Sequence, residues 1–147
     1  MRVVAATNQD HNEILDVWEA SVRATHAFLA EADVVFYRGL LCGEGGLDSV
    51  RLHVLRDAGD RIWGFLGTDG AMIEMLFLHP SVLGQGLGRA LMEFAVHKIG
   101  VQRVDVNEQN PSALGFYRHF GFEVVGRSAL DGCGKPYPLL HLERKSG

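Results

Sequence analysis

Apolar residues recur along this chain with two periods, and each change of period marks an element. Val3, Val4 and Ala5 make Arg2 to Ala6 a short first strand. Ile14, Trp18 and Val22, spaced by four, predict a helix with one buried stripe running to about Ala24. Asp10 and Glu13 have capping-box spacing at its start. A second, weaker helix is expected near Glu31 to Leu41, then a flexible loop at Cys42-Gly43-Glu44-Gly45-Gly46. Val50, Leu52 and Val54 alternate with Arg51 and His53 as a half-buried strand. Turns at Asp57 to Asp60 and Asp69-Gly70 bound a returning strand, Ile62 to Gly67, and lead into the apolar run Met72 to Leu78. Helical spacing resumes at Leu87, Leu91, Phe94, Ala95 and Ile99 and stops at Gly100. Val101 to Val106 reads as a strand parallel to Met72–Leu78, because a helix joins the two. Asn110-Pro111 opens a helix carrying Ala113, Leu114, Tyr117 and Phe120 on one side, and Gly121 ends it. Strands at Phe122 to Val125 and Leu139 to Leu142 flank an irregular loop, Asp131 to Pro136. The order β-α-α-β-β-β-α-β-α-β-β predicts a mixed α/β sheet with helices on its faces and Trp18, Phe94 and Phe122 in the core.

The junction between Met72–Leu78 and the following helix carries Gly84, Gly86 and Gly88 at alternate positions. Glycine adopts φ > 0 freely and lets backbone approach a ligand, and a helix N-terminus offers unpaired N–H groups beside a positive dipole end. A glycine turn feeding a helix therefore suits a phosphate. The P-loop spacing and the dinucleotide fingerprint Gly-x-Gly-x-x-Gly both require glycine at position 89, where Arg89 stands. What remains is a pyrophosphate turn of Gly-x-Gly-x-Gly type. Arg89 either contacts phosphate or faces solvent.

Composition narrows the classes further. The 147 residues predict one domain with a real core, and a formal net charge of −4 without a basic run argues against nucleic acid as the main partner. Neither a membrane-length apolar stretch nor a signal-peptide pattern is apparent. Cys42 and Cys133 read as reduced thiols, which predicts a cytoplasmic protein, and the seven histidines form no metal pattern.

Leu76-x-Leu78-x-Pro80, the glycine turn, and Asn110-x-x-Ala113-x-x-Phe116-Tyr117-x-x-x-Gly121-Phe122, about 20 residues on, together resemble the GNAT N-acetyltransferase superfamily over the whole chain. The segments Ser21 to Leu29, Val106 to Asn110 and Gly134 to Leu140 are similar to the bacterial YjaB-type branch. The resemblance implies acetyl-coenzyme A as donor and no metal. It implies a strand Met72–Leu78 splayed from its parallel neighbour, with pantetheine on the backbone of Leu76, Phe77 and Leu78. It implies pyrophosphate on the backbone of Gly84, Gln85, Gly86, Leu87, Gly88 and Arg89, and Asn110 and Tyr117 beside the cofactor. The implied mechanism is direct attack by an amine, without an acyl-enzyme. Two positions depart from the pattern: Leu83 stands where the family has Arg or Gln, and Asp105 where the YjaB type has Asn. An ionised carboxylate cannot donate to a thioester carbonyl.

Chemistry assigns roles among these residues. A phenol beside the sulfur can protonate the leaving thiolate, which makes Tyr117 the candidate acid; its alternative is a packed aromatic. Glu74, on the same strand face as Leu76 and Leu78, is the candidate base, against a solvated charge on a sheet. His26 is a second base or substrate contact, against a structural histidine. Asn107 either orients the acetyl group or ends its strand, and Lys135 and Tyr137 are placed to wall the acceptor site. His79 reads as a turn residue. The expected acceptor is a primary amine of a small molecule or peptide, and exposed strand edges allow a homodimer. A non-catalytic acyl-CoA sensor is the rival reading, and a reductase fragment, with Asp105 as ribose acid, a distant third.

Overall fold

A computed structural model describes residues 1–145. Its strands are β1 (Arg2–Ala5), β2 (Arg51–Arg56), β3 (Ile62–Asp69), β4 (Met72–Leu78), β5 (Arg103–Asn107), β6 (Phe122–Ser128) and β7 (Leu139–Arg144). Its helices are α1 (His11–Thr25), α2 (Glu31–Cys42), α3 (Leu87–Phe94) and α4 (Pro111–His119). The sheet runs β1-β2-β3-β4-β5-β7-β6, antiparallel except for β4 against β5. Element types and order match the periodicity, and boundaries moved by a few residues: β5 begins at Arg103 rather than Val101, and β6 runs on to Ser128.

Two apolar layers sandwich the sheet. On one face Ile14, Trp18, Val22 and Val34 of α1 and α2 meet Val54, Ile62 and Phe65, with Met75 and Phe77 of β4 packed against them. On the other, Leu91, Met92, Ala95, Tyr117 and Phe122 meet Leu55, Leu66, Ile73 and Val104, with Leu76 and Leu78 of β4 alongside. Fully burying side chains such as Leu91 or Met92 stabilises by about 2 kcal/mol each. Trp18 and Phe122 are buried as expected, whereas Phe94 is only partly so.

The start of α1 differs from expectation. Asp10 makes no capping bond to that helix; its carboxylate instead accepts from Thr7 N–H at 2.9 Å and pairs with Arg56 at 2.6 Å. Glu13, three residues on, accepts from Ile62 N–H at 2.7 Å and ties α1 to β3. Asp10 therefore closes a capping box one turn earlier, with Thr7, and tertiary partners take up the rest of both carboxylates. Beyond Phe94 the helix continues as a π-turn, Ala95–Ile99, and Gly100 at φ 80° closes it.

Candidate active site

The parallel pair β4–β5 holds for two rungs only, Met72 with Arg103 and Ile73 with Val104. Beyond them β4 stays with β3 as far as Leu78, and β5 stays with β7 as far as Asn107, so the sheet opens into a V. His79 N–H donates to Trp63 carbonyl at 2.8 Å, which sets the phase of the β3–β4 ladder. By antiparallel alternation the backbone of Phe77 and Met75 then turns to β3, and that of Leu76 and Leu78 turns into the V. The opening leaves the facing edges of β4 and β5 unpaired inside the sheet, bordered by a cleft of about 760 Å³.

The glycine turn borders that cleft through its flanking residues Leu83 and Gly88. Gly84 and Gly86 hold φ 78° and 77°, a left-handed backbone that side chains other than glycine resist. Gly88 serves differently: a Cβ there would lie 3.3 Å from the Phe116 ring and 3.4 Å from Leu78, so its absence lets α3 pack on α4 and β4. The first helical hydrogen bond is Ala90 N–H to Gly86 carbonyl at 3.2 Å, which leaves the N–H groups of Leu87, Gly88 and Arg89 ahead of it free to point outward. The Arg89 side chain pairs along the helix with Glu93 at 3.0 Å and is exposed. Leu83 is half exposed beside the turn and lines the cleft.

α4 supplies the opposite wall. Asn110 caps it, accepting from Ala113 N–H at 3.2 Å, and lines the cleft. Seven residues on, Tyr117 packs edge-on against Phe116 and Phe122 and also lines the cleft. Burial pushes its phenol well above the ordinary range, so it stays protonated. No hydrogen bond ties its hydroxyl among the described residues.

Glu74 sits where the V begins, and its placement corrects the alternation. Thr68 pairs with Ile73 but Gly67 pairs with Met75, so Glu74 is the extra residue of a β-bulge. The bulge puts Ile73 with Leu76 and Leu78 in the α3–α4 layer, while Glu74 lines a second cavity with Met75 and Phe77 on the α1–α2 side. Desolvation, Asp69 and Asp105 push its carboxyl up. Asp105 follows Val104 at the opening, and His141 Nδ1 lies 2.6 Å from its Oδ1. His141 Nε2 is 2.6 Å from Ser128 Oγ. Pairing of β5 with β7 and of β7 with β6 builds this chain of three residues, which nothing in their sequence separation announces.

The second cavity, of about 380 Å³, lies under α1 and α2 and meets the cleft at His26, Glu74, Phe77 and Asn107. His26 follows α1; its Nδ1 is 2.7 Å from Thr25 Oγ1 and its ring leans on Phe28, while burial pulls its pKa down and keeps it neutral. Tyr137 presents its ring to the cavity, but its hydroxyl donates to Asp33 and accepts from Ala30 N–H at 3.2 Å. Lys135 is drawn to Asp33 at 2.8 Å and is not among the lining residues. His79 bonds locally to Ser81. Trp18, Tyr37, Leu41 and Asp131, which carried no site signal in sequence, complete the walls. No helix among the described residues is long and apolar enough to cross a membrane.

Residues 45–132 match the model of an acetyltransferase (GNAT) domain. The chain belongs to the GNAT acetyltransferase family. With that it is an N-acetyltransferase, as the two sequence motifs implied. It is 39% identical over 137 residues to the peptidyl-lysine N-acetyltransferase YjaB of Salmonella typhimurium, covering 92% of each chain. The solution structure of apo YjaB from Escherichia coli superposes with a TM-score of 0.88 at 36% identity, over 99% of this chain and 98% of that one. The PaiA N-acetyltransferase of Thermoplasma acidophilum, solved with coenzyme A, shares the fold at a TM-score of 0.73 and 19% identity, over 99% and 100% of the chains.

Proposed function

We propose that this chain, as a single domain, transfers the acetyl group of acetyl-CoA to a primary amine of a peptide lysine or a small molecule, by direct attack. The observation that carries the reading is the V between β4 and β5, which exposes the backbone of Leu76 and Leu78 between Tyr117 on one side and Glu74 on the other. The pantetheine amides can pair with that free edge as an added strand would. The pyrophosphate suits the N–H groups from Gly84 to Arg89, with Gln85 in the turn, and Asn110 borders the cofactor arm. The CoA complex of the Thermoplasma relative and the peptidyl-lysine activity named for YjaB support donor and acceptor class respectively.

The chemistry follows from the two shifted groups. An ammonium must lose a proton before it attacks, and a carboxyl with a raised pKa takes up that proton nearer to neutral pH. Glu74 does this directly or through water. The amine nitrogen bonds to the thioester carbonyl carbon, the C–S bond breaks, and the neutral phenol of Tyr117 protonates the departing sulfur, while the second proton shed by the acylated nitrogen restores the phenol. The products are an acetamide, free CoA and one proton. Asn107 and His26, at the meeting point of cleft and cavity, orient the acceptor.

Thiol release from acetyl-CoA, followed with a panel of amines and lysine peptides, tests the reading. Tyr117→Phe lowers kcat about 100-fold or more while CoA affinity stays within twofold, and Glu74→Gln lowers kcat/KM comparably. Unchanged turnover in Tyr117→Phe removes the acid role. Tight acetyl-CoA binding with no transfer to any amine favours the sensor reading.

A further inference from the structure

From the character of the second cavity we infer that the preferred acceptor is a primary amine borne on an apolar, aromatic-sized body, rather than a polyamine, a free amino acid or a lysine lacking apolar neighbours. The inference rests on the acetyl-transfer reading and adds the acceptor class to it.

Charge comes first. Among the described lining residues the only carboxylates are Glu74 and Asp131, and the only basic side chain is His26. Asp131 is saturated from within the protein: Oδ1 accepts from the N–H groups of Cys133 and Lys135, both at 2.9 Å, and Oδ2 from the Tyr37 hydroxyl. His26 is held neutral. Glu74, at the junction with the cleft, is therefore the carboxylate of the described lining without such internal donors, and the one placed to receive the reacting ammonium. A second ammonium deeper in the cavity meets only Asp131, whose oxygens already accept three hydrogen bonds from the protein, and an acceptor carboxylate meets no lysine or arginine in the described lining, Lys135 being paired with Asp33 outside it. Burying either charge unpaired is costly.

Shape comes second. Away from Glu74 and Asp131 the cavity surface is mostly apolar, with Trp18, Val22, Leu29, Leu41, Phe77 and the Tyr137 ring among its walls. The polar tip of Tyr137 is turned away into its bonds with Asp33 and Ala30, so it presents an apolar face. A volume of 380 Å³ holds about a dozen groups at roughly 30 Å³ each, the share of a water in its liquid. An arylethyl amine, with nine heavy atoms, fills about 70% of that space, whereas the unbranched stem of one lysine leaves more than half of it unfilled. Apolar contact between such a body and these walls is the largest affinity source the cavity offers.

The test compares kcat/KM of the full chain for phenethylamine, spermidine, glycine and a glycine-flanked lysine peptide, with acetyl-CoA as donor. Phenethylamine is expected to exceed each of the others at least tenfold. Leu41→Trp, which fills the cavity far from Glu74, is expected to lower that value tenfold while calorimetric CoA affinity stays within twofold. A preference below tenfold, with transfer to spermidine or the peptide intact, overturns this inference and leaves the acetyl-transfer reading standing. Acetyl-CoA binding without transfer to any amine overturns both. The wild-type comparison decides the matter even if Leu41→Trp does not fold.

Discussion

Gly86→Ala isolates the backbone of the glycine turn from every side-chain contact. A Cβ at this position meets nothing within 4 Å, so the substitution adds no clash. Its φ of 77°, however, is left-handed, and an alanine pays about 1–2 kcal/mol to stay there. That strain has two outlets. If the turn keeps its shape in the free protein, the whole cost appears in stability, and Tm falls by roughly 2–8 °C for a chain of this size. If the turn relaxes instead, Tm is spared, but binding must restore the shape and Kd for CoA rises about 5–30-fold. The two losses therefore sum to about 1–2 kcal/mol however they divide. Differential scanning calorimetry and titration calorimetry on the same sample measure both. Gly86→Asn, with a side chain that tolerates this region, loses less than alanine on the same scale. An alanine variant unchanged in both Tm and Kd refutes the idea that this turn is a preformed phosphate cradle.

The remaining predictions concern charge. Desolvation first, then Asp69 and Asp105, raise the Glu74 carboxyl, and the base must be ionised to work. Asp105→Asn removes one like charge, so the acid limb of the kcat/KM profile moves to lower pH and relative activity at about pH 5 rises; a limb that stays put or moves up refutes the coupling. Burial opposes ionisation of Asp10, but Arg56 and Thr7 outweigh it and hold its carboxyl below the usual value. The stability this supplies is present above the ordinary carboxylate pKa and is lost as pH falls through the lowered one. Asp10→Asn accordingly costs about 3 kcal/mol in urea unfolding at neutral pH, the low end for a broken buried pair because Arg56 still donates to the Asp60 carbonyl. The gap between wild type and variant narrows in strong acid; a constant gap contradicts the pairing.

Local patterns carried most of the fold because each element's period survives in its own residues. Ile14, Trp18 and Val22 are buried together at the spacing that predicted them, and Asn110-Pro111 caps and starts α4 as read. Patterns failed where a distant group competed. Asp10 caps with Thr7 rather than Glu13 and pairs with Arg56, Glu13 is drawn to Ile62, and the bulge against Thr68 and Gly67 moved Glu74 off the face that simple alternation assigned. Neither Arg56 nor Ile62 lies within a helix turn or a hairpin of the residue it draws, so no local window contains the competition.

The segments proposed to hold the donor were legible as local structure for the same reason. A glycine turn, its helix and the Asn110-to-Phe122 motif are contiguous, and backbone conformation there is set by residues next to one another. The acceptor half is assembled from α1, α2, the bulge of β4 and the loop of Asp131, brought together from four separated stretches. Whether Trp18 is core or wall, and whether Asp131 is free or saturated, depends on which segment lies opposite. The amino-acid order alone determined the elements, the family and the glycine turn, because these are properties of short neighbourhoods. Tertiary structure decided the opening of β4 from β5, the orientation and environment of Glu74, and the apolar cavity, because each is a relation between residues that meet only when the sheet has formed.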